Sequence, residues 1–119
     1  MVVCISGKYD GKTQEIIKQN IEVARMVAVE LWKMGHAVVC PHLNTGGMEN
    51  EGISHEVFIK GYIEILTSCD VILLLPGWKD SKGAVAEKQA AIENCIAIYE
   101  YPELPPLEKH KVYDYDIVK

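Results

Sequence analysis

Five consecutive aliphatic residues, Val71-Ile72-Leu73-Leu74-Leu75, stand between Asp70 and a Pro76-Gly77 pair. The run does not alternate polar with apolar side chains, so a strand built from it must be covered on both faces. That condition points to a parallel sheet with helices on each side. Pro76-Gly77 ends the strand, and Asp80 or Ser81 can cap a helix that opens with Lys82, Gly83 and Ala84 and carries Glu87 two turns in. In an open α/β sheet, ligands bind at the carboxyl ends of the strands, where helix N-termini present free N–H groups. Glu87 is therefore the expected chemical centre.

The rest of the chain repeats this pattern. Met1 to Ser6 is a short β-branched strand followed by the glycine-flanked loop Gly7-Lys8-Tyr9-Asp10-Gly11. From about Lys12 to Met34, the spacing of Ile17, Ile21, Ala24, Val27, Ala28 and Leu31 predicts a helix with one buried stripe, closed by Gly35. Ala37 to Cys40 makes a second strand, ended by Pro41. His42 to Ser54 has no periodicity and reads as a long loop of the kind that often carries function. Ser54 or His55 opens a second helix that turns Phe58, Ile59, Tyr62, Ile63 and Leu66 toward the core. The third helix spans about Ser81 to Asn94, and Cys95 to Tyr99 makes a fourth strand. The order β-α-β-α-β-α-β predicts a doubly wound, three-layer parallel sheet of four or five strands, flavodoxin- or Rossmann-like. Residues 1–100 form this domain. The remaining 101–119 hold Pro102, Pro105 and Pro106 and an alternating stretch, VYDYDIVK, which could add an edge strand here or on a neighbouring subunit.

Composition narrows the partners. With 119 residues the chain holds one domain, and a net charge of -5 disfavours nucleic-acid polymers and anionic membrane surfaces. No apolar run is long enough for a membrane span, and no signal-peptide pattern opens the chain, so a cytoplasmic location is expected. Cys4, Cys40, Cys69 and Cys95 are far apart without a C-x-x-C, and are expected to be small buried thiols. No metal ligand set is evident, Cys40 and His42 lacking further ligands at usable spacing.

The loop Gly7 to Gly11 and the segment Ser81-Lys82-Gly83 should meet at the top of the sheet. Glycines there allow a close backbone approach, and Lys8, Ser81 and Lys82 could contact a hydroxyl or an anion. Neither a P-loop nor a G-x-G-x-x-G fingerprint is present. Trp78 could stack on a base at the crevice mouth, and His42 and Asn44, just after the second strand, could line it. Asp70 is expected to terminate the second helix rather than to enter the site. His36 and His55 are expected at helix ends or in solvent.

The pattern Ser81-x-Gly83-x-x-x-Glu87 after a hydrophobic strand resembles the nucleoside 2-deoxyribosyltransferase superfamily. The stretches NIEVARMVAVELWKMGHAVVCPHLNT and CDVILLLPGWKDSKGAVAE are similar to its DUF4406 branch, over roughly Val2 to Tyr99. The resemblance implies that Glu87 is an ionised nucleophile attacking C1′ of a deoxyribonucleoside or its 5′-monophosphate, with no cofactor. It places Ser81 and Gly83 at the sugar 5′ end or its phosphate, and Gly7 in the first loop, beside Lys8, Tyr9 and Asp10. Tyr62 stands where relatives carry a helix-two aspartate that helps protonate the leaving base. Asp10 stands where phosphate-using relatives carry arginine, and Cys4 where the superfamily carries an aromatic near the start of its first strand. Sites in that superfamily are often completed across an interface, which implies a homo-oligomer and gives Tyr113 and Tyr115 a neighbour to pack on. Three functions follow as expectations: first a nucleoside deoxyribosyltransferase or deoxynucleotide N-glycosidase, second a protein that keeps the pocket and only binds a nucleotide-like ligand, and behind these a structural or assembly role in a homo-oligomer.

Overall fold

The structure is a computed structural model that describes residues 1–107. Four parallel strands form one sheet in the order β2-β1-β3-β4, with β1 at Val2–Ser6, β2 at Ala37–Val39, β3 at Val71–Leu74 and β4 at Ala97–Glu100. This is the flavodoxin-like order expected from the sequence. The register sets Ser6 of β1 opposite Leu74 of β3, so the chain turns that follow these strands leave the sheet side by side.

Alternation along the buried strands sorts the core into two layers. Val3 and Ile5 of β1, with Val71, Leu73 and Leu75, face α1 (Gln14–Met34) and pack on Ala24, Val27, Ala28 and Leu31. Cys4, Ile72 and Leu74 face the opposite side, where α3 (His55–Leu66) contributes Leu66 and α4 (Lys82–Glu93) contributes Ala90 and Ala91. The sheet is thus covered on both faces, as the unbroken aliphatic run requires. Small residues on α4 let that helix lie close to the strands: Ala84 and Ala91 are fully buried.

Local chemistry sets the helix ends. Thr13 caps α1 by accepting from the Ile16 N–H, and Gly35 ends it at a φ of 99°, a left-handed conformation that glycine takes without a side-chain clash. Ser81, not Asp80, caps α4, its hydroxyl accepting from the Ala84 N–H at 3.2 Å. Asp70 lies beyond the end of α3 and ties down β1 instead: the Val2 N–H donates to its carboxylate at 2.7 Å, and its own N–H donates to the Val2 carbonyl.

Several details depart from the sequence reading. The segment after β2 opens with a one-turn helix, α2 (Pro41–Asn44), because Pro41 is pre-set for a first helical position and lacks only an N–H that would be unpaired there. His36 is neither solvated nor a cap; it is buried, and its ring bridges the Met1 amino group and the Pro105 carbonyl, pinning the segment that follows β4. Cys4, Cys40 and Cys69 are buried thiols, whereas Cys95 is exposed in the turn before β4. The stretch VYDYDIVK, with Tyr113 and Tyr115, lies outside the described residues. Among the described residues no helix is long and apolar enough to cross a membrane.

Candidate functional site

Every strand that contributes to the site does so from its carboxyl end. Ser6 closes β1 and is followed by Gly7, Tyr9 and Asp10; Pro41 and His42 follow β2; Ser81 and Gly83 follow β3. Together with one face of α3 they enclose a cavity of about 280 Å³, just below the roughly 300–1,000 Å³ typical of ligand pockets.

Glu87 sits at the base of this cavity. Its side chain is buried, and the Ser6 hydroxyl donates to its carboxylate at 2.5 Å. Ser6 can do this because alternation along β1 turns it, with Cys4, toward α4 rather than α1. Burial pushes the Glu87 carboxyl up to about 7, and the Ser6 hydrogen bond pulls the other way. The resemblance implies an ionised nucleophile, and the structure places that acid where burial opposes its charge. Glu87 lies in the second turn of α4, beyond the reach of the helix dipole, while loss of water disfavours its charge.

The glycine of the first loop is sterically required. A Cβ on Gly7 would lie 2.8 Å from the Leu75 Cβ, so the chain can leave β1 along this path only without a side chain. Asn20 of α1 then holds the loop by donating to the Tyr9 and Asp10 carbonyls at 3.0 and 3.3 Å. The Tyr9 hydroxyl donates to Glu49 in the segment after α2, and the Gly47 N–H donates to both groups. This set of bonds joins the loop after β1 to the loop before α3 at the cavity rim.

His42 is buried in the cavity wall, with the Tyr9 ring against it edge-on at a centroid distance of 5.7 Å. Burial lowers its pKa, so the ring is neutral at pH 7. Its Nε2 lies 3.0 Å from the Lys8 carbonyl and must carry the proton to bond there. That leaves Nδ1 a bare acceptor, and among the described residues it has no partner.

On α3 the residues His55, Phe58, Ile59 and Tyr62 recur at helical spacing and line the cavity. Their periodicity reads as a core stripe, yet Phe58 and Ile59 are half-buried in the cavity wall, and of this helix only Tyr62 and Leu66 are buried. The Tyr62 hydroxyl donates to Thr45 Oγ1 and accepts from the Asn44 amide, both at 3.0 Å. Its single proton is thus held by Thr45, which follows α2, and is not offered to the cavity.

The predicted site residues divide accordingly. Gly7, Tyr9, Asp10, His42, Tyr62, Ser81, Gly83 and Glu87 line one cavity. Lys8, Asn44, Lys82 and Trp78 do not. Lys8 contributes its carbonyl to His42, Asn44 contributes its amide to Tyr62, and both lysine side chains are exposed. Trp78 faces away: Gly77, at a φ of 83°, turns the chain so that the indole N–H donates to Glu100 and the ring lies 4.4 Å beneath the Lys88 ammonium. Ser6, Thr45, Glu49, Ile53 and His55 also line the cavity and were not singled out from the sequence. Ser6 was detectable in principle, as a polar side chain ending an otherwise apolar strand.

The family described as "Domain of unknown function (DUF4406)" matches residues 1–100, and the chain belongs to it. No curated protein matches the chain.

Proposed function

We propose that this DUF4406 protein is a nucleoside deoxyribosyltransferase or a deoxynucleoside (or 5′-monophosphate) N-glycosidase, working through a covalent glycosyl-Glu87 intermediate. The observation that carries the reading is a buried carboxyl, pushed up to about 7, at the base of a cavity large enough for a small organic ligand. The similarity of the segment Ser81-x-Gly83-x-x-x-Glu87 to the nucleoside 2-deoxyribosyltransferase superfamily supplies the reaction class.

In its ionised form a Glu87 oxygen attacks C1′ of the sugar. The C1′–N bond breaks, its electron pair leaves with the base, and the base takes up a proton. The sugar is left as an ester of Glu87. Water, or a nitrogen of a second base, then attacks C1′; the ester C1′–O bond breaks and the carboxylate is restored as the attacking group loses its proton. Dividing the displacement in two lowers each barrier, as in retaining glycoside hydrolysis. The Ser6 hydroxyl stabilises the carboxylate that must attack. The apolar wall of Ile53, Phe58 and Ile59 suits a flat base.

A second reading, ligand binding without turnover, is favoured by the engagement of the Tyr62 hydroxyl with Thr45, which removes a proton donor from the cavity. Incubation of the purified protein with deoxynucleosides and their 5′-monophosphates, followed by chromatography, separates the two. Free base that vanishes in Glu87→Ala supports the enzyme. Thermal stabilisation by the ligand without product supports the binder, and the absence of both overturns the proposal.

A further inference from the structure

Resting on that reading, we propose that the cavity selects a nucleoside whose 5′ position is a free hydroxyl and discriminates against the 5′-monophosphate. The charges of the wall carry the inference. Among the described residues that line it, the acidic groups are Asp10, Glu49 and Glu87, and there is no lysine or arginine. The remaining ionisable rings are His42, kept neutral by burial, and His55, with the phenols of Tyr9 and Tyr62. The Glu49 carboxylate is held in its charged form by the Tyr9 hydroxyl that donates to it.

A phosphate monoester brings about 1.5 to 2 negative charges at neutral pH. Among the described residues the built-in positive features are the N-termini of α4 and α3, each equivalent to roughly half a charge. Even with Glu87 half-protonated, the carboxylates outweigh the two helix ends by more than about twofold. Lys8 and Lys82, the nearest basic residues in the chain to the two loops, are exposed and outside the wall. A sugar hydroxyl meets no such penalty. It can donate to a rim carboxylate and accept from the Ser81 hydroxyl, whose oxygen accepts from the Ala84 N–H and whose proton has no acceptor among the described residues.

The test compares kcat/KM for base release from each deoxynucleoside and its 5′-monophosphate at low ionic strength. A preference for the nucleoside of at least about tenfold is expected, since like charges near a protein surface repel by more than the corresponding 1.4 kcal/mol. The preference should shrink to within about threefold in Asp10→Asn/Glu49→Gln, and shrink in the wild type at about 0.5 M salt. If a variant folds poorly, the salt series on the wild type decides alone. Equal rates, or faster release from the monophosphate, overturn the inference and leave the proposed reaction standing. Where no base is released from any compound, calorimetric titration of the wild type with the same pairs reads the same ratio as affinities. A ratio of at least about tenfold for the nucleoside upholds the selectivity although the reaction fails. No release and no binding overturn both.

Discussion

The Ser6 hydroxyl donates to the Glu87 carboxylate at 2.5 Å across 81 positions of sequence, linking the end of β1 to the second turn of α4. Neither residue faces the other by local geometry. The contact exists because β1 and α4 are brought together by β3, and it places a hydrogen-bond donor on the one buried acid of the cavity wall. Four predictions follow from the surroundings of this pair.

Glu87 should give the fold a measurable pH dependence. Its carboxyl rises from an ordinary value of 4.5 to about 7 on folding, so the native state binds the proton more tightly than the unfolded chain. The resulting stability is fully present below 4.5 and is lost as pH rises through about 7, a change on the order of 3 kcal/mol. Urea unfolding between about pH 4 and 8 should show this decline in the wild type and its loss in Glu87→Gln. Indistinguishable pH profiles for the two proteins would contradict the burial of this charge.

Replacing Ser6 with alanine removes the interaction that opposes the upward shift of Glu87. The acid limb of the pH–rate profile should move to higher pH, and base release at pH 6 should fall by about tenfold. Activity should recover as pH is raised, because the carboxylate itself remains. A uniform loss across the pH range would mean that Ser6 acts by some route other than the ionisation of Glu87.

Tyr62→Phe tests whether the phenol takes part in chemistry. Its proton is donated to Thr45 and its oxygen accepts from Asn44, so removal should cost about 1 kcal/mol of stability and leave base release within roughly threefold of wild type. A loss of a hundredfold or more would place the hydroxyl in the reaction and reinstate Tyr62 as a catalytic residue.

Gly7→Ala should destabilise the fold by about 1–3 kcal/mol, because its new Cβ would meet the Leu75 side chain at 2.8 Å inside a packed layer. Denaturant midpoints measure this directly. An unchanged midpoint would show that the loop can leave β1 by another path, and that the site does not depend on this close approach.

Much of the architecture was legible in the chain. The aliphatic run at 71–75 demanded cover on both faces, the stripe of α1 gave its length and inner face, and Gly35 and Ser81 marked helix ends. The segments that form the cavity were legible as well, since they follow strands or open helices. The errors share one cause. Trp78, Lys8 and Lys82 sit within the right segments, yet their side chains leave in other directions. Phe58 and Ile59 lie on a correctly identified stripe that lines the cavity over its first turns. His36, expected at a helix end or in solvent, is buried under the segment following β4 and bonded to the Pro105 carbonyl.

By itself the sequence determined the layers, the places of β1 to β4 and the acid that ends up between the layers, because periodicity and capping are local and sum along the chain. Tertiary structure alone decided what that acid experiences. Desolvation, the Ser6 donor, the neutral His42 and the shortage of basic groups in the wall all depend on which surfaces the sheet order brings face to face. Solvation and electrostatic fields arise from distances in space, which no spacing along the chain specifies.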